Sequence, residues 1–462
     1  MAAWSTGTVP HYITSNPAAA EAYADLVLAY LRDTGPPSSV TKPVGRRYVV
    51  ELGAGCGRFA FHFLRSFLPS LRSSDIADLP VTYVMTDVVA ANVDFWRGHP
   101  ALRPFVQDGS LDFAFFDAEE PEPLLLLESG ETIDAERVST PLCVIANYVF
   151  DGLRQDSFRV RDGVLYEGMA SASIGAGGSD GAEPIPPDLE LDWLDLPVSG
   201  ARYADPDWND LLDGFRRNLE DVDFLMPTGA LHCIAHFEHL TRAGLLLVAS
   251  DKGLSSATQR VPGGRPAIEI HGSCSLMVDY DAIGRYVAGL GGVALHPAKP
   301  PRNLVTGAYL FGPPGTEWSE TEEAYSLAIG ELGPDSFFSL KQALVSQAHL
   351  LSLENLLDLL ALSKFDSKLL LDLHPILLRR AGQAAASVRE KVLEVVEHTW
   401  ESHYPIGEGL DLSFSLGALL FQAGHCREAL GYLEDCDDDP NVGYLRALCQ
   451  EKLQEKESDR GD

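Results

Sequence analysis

The sequence predicts an α/β fold: a Rossmann-like, doubly wound and mostly parallel sheet, followed by an all-α C-terminal domain. Three observations lead to this prediction. Short apolar runs alternate with segments of helical periodicity between residues 46 and 315, which is typical of a parallel sheet with helices on both faces. The first run enters a glycine-rich turn, YVVELGAGCGRFAFHF. Beyond residue 316 the segments are leucine- and alanine-rich and helical.

The 462 residues of the chain exceed what one hydrophobic core usually serves. We therefore expect three parts: an N-terminal lead-in helix and linker (1–45), the sheet domain (46–315) and the helical domain (316–462). The lead-in helix is predicted from apolar residues at helical spacing in PHYITSNPAAAEAYADLVLAYLR, behind a cap at Ser15 or Asn16.

The glycine-rich turn is the strongest candidate for a ligand site. Gly53, Gly55 and Gly57 lack a Cβ atom, so the backbone there can take positive φ angles and let a ligand approach closely. Glu51 stands two residues before the first glycine, where a carboxylate repels a pyrophosphate and suits a cationic ligand. The spacing GxGxG differs from the dinucleotide fingerprint GxGxxG, and the chain has no GxxxxGK[ST] phosphate loop. This favours S-adenosylmethionine, which carries an ammonium and a sulfonium; the alternative is a turn that binds nothing.

The second predicted strand, VTYVMTD, ends at Asp87. About 20 residues usually separate a glycine fingerprint from the acid that binds the ribose, and the proline-containing spacer before this strand accounts for the longer separation. Asp87 is therefore placed to accept hydrogen bonds from ribose hydroxyls, with a solvated surface acid as the alternative. The third strand, in LDFAFFDAEE, runs up to Asp117, which could accept from an adenine amino group. Asp108 is the rival for that role because the boundary between helix and strand is only approximate.

The fourth predicted strand, PLCVI, runs into ANYVFDGLRQDSFRV, which holds the candidate catalytic residues. Methyl transfer needs in-line placement and a way to remove a proton, which one well-placed carboxylate can supply. Asp151 is that candidate. Asn147 and Tyr148 are expected to line the mouth of the same site, and Asn147 is also expected to contact the cofactor. Asn147 does not begin a DPPY or NPPY motif, which argues against amide and adenine amino acceptors.

The ELGAGCG loop, the acid in TDVVAANVDFW and the strand end ANYVFDGLRQDSF together resemble the MidA family of S-adenosylmethionine-dependent methyltransferases. That family includes mitochondrial complex I assembly enzymes that methylate arginine. Its fourth strand ends in a pattern similar to NExFDALPVxxF, with which this chain shares Asn147, Phe150, Asp151, Leu153 and Phe158. Tyr148 replaces the glutamate of the pattern and Arg154 replaces its proline.

The resemblance covers about residues 10 to 312. YITSNPAAAEAYADLV is similar to the family's FITSPE segment, LLLVASDKG to its LLxIDYG strand and VDY to its HVDF segment, with Met277 in place of the histidine. The resemblance implies a class I Rossmann-like fold, S-adenosylmethionine as cofactor and a protein side chain, such as arginine, as acceptor. The competing interpretation is a scaffold that has lost catalysis, because Tyr148 and Met277 replace groups that could position a guanidinium.

Composition limits the partners. Sixty-seven acidic residues against 35 basic ones give a net charge of −32, which opposes binding to nucleic acids and anionic membranes and favours a protein partner with a basic segment. The seven cysteines contain no CxxC pair, as expected in a reducing compartment. The N-terminus has no basic region followed by an apolar core, as a signal peptide would, and no apolar run approaches membrane-spanning length. A cytoplasmic location is therefore expected.

Two further segments concern a predicted loop and a possible metal site. Residues 168 to 188, rich in glycine, serine and proline, predict a mobile loop. The predicted helix GALHCIAHFEHL places His232, His236 and His239 along one face, but a metal site needs further ligands and an orienting second shell. We therefore predict no metal.

The helical domain contains one segment similar to a tetratricopeptide repeat, LGALLFQAGHCREALGYLEDCDDDP. Its small residues, such as Gly417 and Ala429, would let two antiparallel helices approach closely while Leu416 and Leu433 fill the space between them. Residues 337 to 400 lack a clean repeat of period 34, and a capping helix is expected at 442 to 455. An ordinary helical bundle is the alternative.

Overall fold

The computed structural model describes residues 1–9, 11–35, 45–174, 189–260, 262, 264–270, 274–409, 411–434, 436 and 439–458. The chain forms two compact units. The larger unit comprises Gly7–Ser15 and Ala20–Ser336, and the smaller one Met1–Thr6, Asn16–Ala19 and Phe337–Asp462.

A seven-stranded sheet forms the centre of the larger unit. Its strands are β1 (Arg47–Leu52), β2 (Val81–Asp87), β3 (Leu111–Phe115), β4 (Leu142–Asn147), β5 (Leu245–Asp251), β6 (Val293–Leu295) and β7 (Val305–Phe311). Nearly every residue of β1, β2, β4, β5 and β7 is buried. Strands that are covered on both faces need continuous apolar runs rather than alternating ones, which is why these segments stand out in the sequence.

The strands lie in the order β6-β7-β5-β4-β1-β2-β3. All neighbours from β5 to β3 are parallel, and β7 runs antiparallel to both β5 and β6. The chain moves outward from β1 through β2 to β3 and then returns to the other side of β1 with β4. The strand order therefore reverses between β1 and β4, and ligands of open α/β sheets bind at the carboxyl ends of strands at such a reversal.

Helices connect or flank these strands, as the alternation in the sequence predicts. The helices from Tyr12 to Tyr325 are Tyr12–Ser15, Pro17–Asp33, Arg58–Arg72, Ala90–Gly98, Arg103–Gln107, Pro206–Asn218, Thr228–Leu240, Tyr280–Gly289 and Ser319–Tyr325, with short 3-10 turns at Phe150–Gly152 and Ala257–Gln259. The short helix Ala2–Ser5 belongs to the smaller unit. Side-chain caps explain where two of these helices begin: Asp205 and Asp279 each accept a hydrogen bond from a backbone N–H in the first turn of the helix that follows.

A second, four-stranded antiparallel sheet is inserted between β4 and β5. It consists of Asp156–Arg161, Val164–Ile174, Leu189–Pro197 and Val222–Met226. The loop prediction for residues 168 to 188 is therefore wrong for 168–174, because this stretch pairs along its whole length with the strand Leu189–Pro197. The ladder bonds outweigh its glycine- and serine-rich composition. Residues 175–188 of that prediction lie outside the described part. Three short pairings complete the unit: Leu124–Leu125 with Thr132–Ile133, Gly253–Leu254 with Val278–Asp279, and Glu269–Ile270 with Cys274–Ser275.

The larger unit extends beyond the composition change at residue 316, as far as Ser336. Trp318 stacks on Tyr30 with ring centroids 5.6 Å apart. Tyr325 is buried and donates a hydrogen bond of 2.8 Å to the carbonyl of Thr306 on β7. These contacts make the helix Ser319–Tyr325 part of the unit that holds the sheet.

The smaller unit is helical from Phe337 onward. Its elements are Pro334–Ser346, which begins just before the boundary, then Leu353–Leu362, Ser367–Ala381, Ala386–Glu401, Leu412–Ala423, Cys426–Glu434 and Pro440–Ser458, with a 3-10 turn at Ala348–Leu350. A Cβ atom on Gly417 would lie 2.8 Å from Leu433 Cγ, so this glycine permits the close approach of two helices. Gly424 ends the first of them in the left-handed conformation. The tetratricopeptide-repeat interpretation stays a prediction.

Candidate active site

The glycine turn after β1 has the geometry of a ligand cradle. Gly53, Gly55 and Gly57 have φ angles of 57°, 54° and 80°. Residues other than glycine rarely adopt such positive angles. A Cβ atom on Gly53 would also lie 3.2 Å from Val149 Cγ2. The helix Arg58–Arg72 begins directly after the turn, and its N-cap makes no side-chain capping hydrogen bond. The turn thus lies at the positive end of a helix, which favours a negative or polar ligand group.

Glu51 lies at the carboxyl end of β1 and is only 3% exposed. Tyr83 on β2 donates a hydrogen bond of 3.0 Å to Glu51 Oε2. Burial raises the pKa of Glu51 to about 8, against a lowering by the Tyr83 hydrogen bond and with a further increase from Asp87. No lysine or arginine of the described residues forms an ion pair with Glu51. The site therefore offers a buried carboxyl group that would gain its charge when a cation binds.

Asp87, at the end of β2, is tied to the glycine turn. Its Oδ2 accepts hydrogen bonds from the Gly55 backbone N–H at 3.2 Å and from Asn92 Nδ2 at 3.0 Å. Its Oδ1 accepts from the Val89 backbone N–H at 2.9 Å. Since a carboxylate has about four acceptor positions, about one remains for a ligand hydroxyl. Trp96 adds a second tie by donating to the Gly55 carbonyl at 2.9 Å.

An open pocket of about 430 Å³ lies beyond the carboxyl ends of β2 and β3. Two of its lining residues are apolar and unusually exposed, Val88 at 59% and Phe115 at 49%. Asp117 lines the same pocket two residues past β3. Asp108 lies before the amino end of β3, at the opposite edge of the sheet, and accepts hydrogen bonds from Ser110. Of the two acids, only Asp117 is placed at the candidate site.

The end of β4 meets the carboxyl ends of β1 and β5. Asn147 pairs in register with Ser250 of β5, and its Oδ1 accepts a hydrogen bond of 2.8 Å from Tyr23. Its Nδ2 is buried and makes no hydrogen bond with the described residues. Tyr148 follows with a φ of 55°, a conformation that costs a non-glycine residue on the order of 1 kcal/mol or more and is concentrated at functional sites.

A larger cavity of about 630 Å³ opens next to Tyr148 and Asp151. Its other walls come from several loops: Val9, Ile13, Lys252, Gly253, Leu254, Gln259, Ser275, Met277 and 301–305. This volume falls within the range of small-molecule and side-chain sites, which are mostly apolar with a few oriented polar groups. Asp151 is the acidic group of the cavity wall, and Lys252 and Arg302 are its basic groups.

Asp251, the last residue of β5, is the functional candidate that the sequence analysis missed. It is fully buried, and Tyr280 donates a hydrogen bond of 2.6 Å to its Oδ2. Its carboxyl group lies next to that of Asp151. Burial raises the pKa of both acids, and the proximity of Asp151 raises that of Asp251 further. Its position at the end of the apolar run LLLVASD, parallel to Glu51 and Asp87, was the available signal.

The structure thus brings these predicted residues together at the carboxyl ends of the parallel strands. Glu51, the three glycines and Asp87 lie at the ends of β1 and β2, Asp117 lies past β3, and Asn147, Tyr148 and Asp151 follow β4. Tyr23 and Tyr83 are additional hydrogen-bond partners there, and neither has a sequence motif that marks it. The assignment of cofactor and catalytic roles to these residues stays a prediction.

The histidine helix Thr228–Leu240 forms no metal cluster in the part of the chain described. His232 and His239 are exposed, whereas His236 packs against the rings of Phe116 and Phe237. Burial lowers the pKa of His236 to about 4. No group of three or more His, Cys, Asp and Glu residues within the described ranges could hold a metal ion. None of the helices in these ranges is long and apolar enough to span a bilayer.

Comparison with solved structures finds 13 similar chains, among them two from Burkholderia thailandensis. One is a COG1565 superfamily member bound to S-adenosyl-homocysteine, with 15% identity, a TM-score of 0.41 and coverage of 67% of this chain and 79% of the other. The second is an uncharacterized protein of the same superfamily, with 15% identity, a TM-score of 0.37 and coverage of 62% and 67%. No protein-family profile matches the chain. No curated protein matches it either.

Proposed function

We propose that the chain is an S-adenosylmethionine-dependent methyltransferase that acts on a protein side chain. The observation that carries this proposal is Glu51: a buried carboxyl group, with no basic partner among the described residues, beside a glycine turn at the reversal of strand order. A pyrophosphate would keep this group protonated and gain no charge pairing from it, whereas an ammonium would favour its ionised form and pair with it.

The residues present fit such a cofactor from end to end. Its amino-acid end carries a carboxylate and an ammonium, which suit the helix N-terminus after Gly57 and the Glu51 carboxyl group respectively. Asp87 has about one acceptor position left for a ribose hydroxyl. The exposed apolar residues Val88 and Phe115, next to Asp117, suit a flat base with an amino group. When bound, the cofactor would supply a methyl group on a sulfonium.

The acceptor would enter the cavity beside Tyr148 and Asp151. A carboxylate at its wall attracts a cationic or proton-bearing nucleophile and can take up its proton. Tyr148 and the unpaired Nδ2 of Asn147 would orient the acceptor and the cofactor at the end of β4. Arginine is the acceptor that the resemblance to the MidA family favours, and the net charge of −32 favours a basic protein segment around it. With this substrate we propose a cytoplasmic location.

The competing proposal is a scaffold that keeps the fold but not the catalysis. Its support lies in Tyr148 and Met277, which stand in the cavity wall where the resembling family has a glutamate and a histidine. In this case the helical unit would bind the partner. Cofactor binding is common to both proposals, so only methyl transfer separates them.

The experiment has two stages. First, S-adenosylmethionine or S-adenosylhomocysteine at 100 times its dissociation constant should add about 2.7 kcal/mol to the stability of the protein, which a thermal melt can detect. Absence of binding by both would overturn the proposal. Second, the protein is incubated with methyl-labelled cofactor and a lysate. Labelled protein bands support the enzyme, and binding without any labelling supports the scaffold.

A further inference from the structure

Asp251 is a buried carboxyl group directly behind the cavity. It is 0% exposed, at the end of β5, next to the strand whose continuation carries Asp151. Its Oδ2 accepts the hydrogen bond from Tyr280, and the backbone N–H groups of Val149 and Asp151 also act on this carboxyl group. The Asp151 side chain lies within hydrogen-bonding reach of it and lines the cavity. A charged Asp251 in this place would be both desolvated and next to a second carboxylate.

Two carboxyl groups can be hydrogen-bonded to each other only if at least one of them carries a proton. Asp251 is the deeper member. Burial and then the neighbouring Asp151 raise its pKa, and the hydrogen bonds from Tyr280 and from the backbone N–H groups of Asp151 and Val149 oppose this rise without cancelling it. Asp151 faces Lys252, whose charge opposes the effect of burial on the Asp151 pKa. The proton therefore belongs on Asp251, which leaves the charge on Asp151, at the cavity.

Other titratable groups surround the pair from each neighbouring element. They are Lys252 and Glu269 on the cavity side and Tyr148, Tyr280, Tyr23 and Tyr309 around Asp251. Lys252 pairs with Glu269, so its charge is partly balanced. Burial raises the pKa of each of these four tyrosines, so that they remain neutral donors around neutral pH. A single negative charge on the Asp151–Asp251 pair is consistent with these surroundings.

We propose that Asp251 is a positioning residue: it holds one proton, donates it in a hydrogen bond to the Asp151 carboxylate, and so fixes that carboxylate toward the cavity. The inference rests on the proposed function for its catalytic consequence, but the shared proton is a property of the protein alone. The pair works in one protonation state only. With two protons Asp151 cannot accept another, and with none the orienting donor is lost.

In the reaction, the lone pair of the acceptor atom forms the new bond to the methyl carbon. The bond between this carbon and sulfur breaks, and its electron pair stays on sulfur, which becomes a neutral thioether. The proton of the acceptor atom passes to Asp151 and later to solvent through the open cavity. Charge and atoms balance without another reactant, and Asp251 keeps its own proton throughout.

The test compares Asp251→Asn with the wild-type protein, full-length and without ligand, by infrared spectroscopy of protonated carboxylic acids. Asparagine preserves both contacts: its Oδ1 can accept from Tyr280 and its Nδ2 can donate to Asp151. Because Glu51 also holds a proton at neutral pH, both proteins are studied in a Glu51→Gln background. We expect the wild-type pair to show one carboxylic acid band at pH 7 that Asp251→Asn lacks. An identical spectrum in the two proteins would overturn the proposal.

Turnover gives a second readout wherever the wild type transfers methyl groups. A permanent donor at position 251 should keep activity within about tenfold at neutral pH and remove the alkaline limb of the pH profile, whereas Asp251→Leu should lose on the order of 100-fold or more. An alkaline limb unchanged in Asp251→Asn contradicts the positioning role. If the wild type transfers no methyl group, the proposed function fails, and the infrared comparison alone then supports or overturns the shared proton.

Discussion

Tyr83 and Glu51 are joined across neighbouring strands by a hydrogen bond of 3.0 Å in which the tyrosine donates. Burial and the neighbouring Glu51 hold the pKa of Tyr83 well above its ordinary value, so the phenol remains a donor. Glu51 Oε2 is engaged by this bond, and the described residues donate no hydrogen bond to Oε1. The carboxyl group is thus oriented by one neighbour, and no cationic side chain in the described part of the chain pairs with it. Two predictions follow from that state.

The first prediction is that Glu51→Gln stabilises the protein. Unfolded Glu51 loses its proton near pH 4.5, but burial raises its folded pKa to about 8. The unfolded state therefore binds fewer protons between these values, and the wild type loses stability as pH rises through this window. Glutamine mimics the protonated form and can still accept from Tyr83. We expect a gain on the order of 3 kcal/mol at pH 7 that shrinks toward pH 4, measured by denaturant unfolding.

Glu136→Gln is the matched control, because Glu136 is exposed. This variant should track the wild type at every pH. A Glu51→Gln protein that is no more stable at pH 7 than at pH 4, relative to wild type, would contradict the buried and neutral state of Glu51.

The second prediction concerns how binding depends on pH. S-adenosylhomocysteine keeps the ammonium, so its binding should ionise Glu51 and release a proton. Affinity should rise by up to about tenfold per pH unit between about pH 6 and about pH 7.5, because protons compete with the ligand below the pKa of Glu51. Calorimetry in buffers with different ionisation enthalpies measures the proton released. Glu51→Gln should bind weakly and without this pH dependence, and a flat profile in the wild type would argue against the ammonium–Glu51 pairing.

The third prediction concerns the glycine turn as a ligand site and the contribution of Asp87 to ligand binding and to stability. Gly55→Arg places a long side chain at a φ of 54° and should abolish ligand binding. Asp87→Ala removes the acceptor of Gly55, Val89 and Asn92, so it should lower both ligand affinity and stability, the latter by about 2 kcal/mol or more. Asp94→Ala changes an exposed acid on the helix Ala90–Gly98 and should do neither. Equal ligand affinity in all three variants would move the site away from this turn.

The fourth prediction tests Asp151 as the proton acceptor. Asp151→Asn keeps shape and hydrogen bonding but removes the charge at the cavity wall. Cofactor affinity should stay within about twofold, while turnover falls by about 10²-fold to 10⁴-fold, as is typical for loss of a general base. Asp162→Asn is the control, because Asp162 is exposed and asparagine tolerates its φ of 51°. Unchanged turnover in Asp151→Asn would assign the proton transfer to another group, with Tyr148 the next to test.

The central strands and the glycine turn could be predicted from the sequence because their signals are local. The runs that form β1, β2, β4 and β5 are continuously apolar, as strands covered on both faces must be, and the turn after β1 needs residues without a Cβ atom. Glu51 and Asp87 could be found in the same way, since each stands at the carboxyl end of such a run.

Relations between distant residues could not be predicted. Asp251 acquires its role from Asp151, a hundred positions earlier, and only the pairing of β4 with β5 brings them together. Residues 168–174 have the composition of a loop, and they form a strand because Leu189–Pro197 completes their hydrogen bonds. Asp87 has a clear place in the sequence, yet its three hydrogen bonds to the chain itself are visible only in the structure.

The last prediction concerns where the sheet-containing unit ends. The change in composition places the boundary at 315, but the compact unit extends to Ser336. Beyond residue 315, the Thr321 hydroxyl donates a hydrogen bond of 2.6 Å to Asp33, Trp318 stacks on Tyr30, and Tyr325 donates a hydrogen bond to the Thr306 carbonyl.

A fragment of residues 1–336 should therefore fold and bind S-adenosylhomocysteine. The fragment 1–315 loses two buried aromatic side chains, each worth about 1.5–3 kcal/mol, so it should be less stable by about 3 kcal/mol or more. Trp318→Ala in the longer fragment should reproduce part of that loss. Equal denaturation midpoints for the two fragments would show that the helix Ser319–Tyr325 contributes nothing to the sheet unit and that the boundary lies at residue 315.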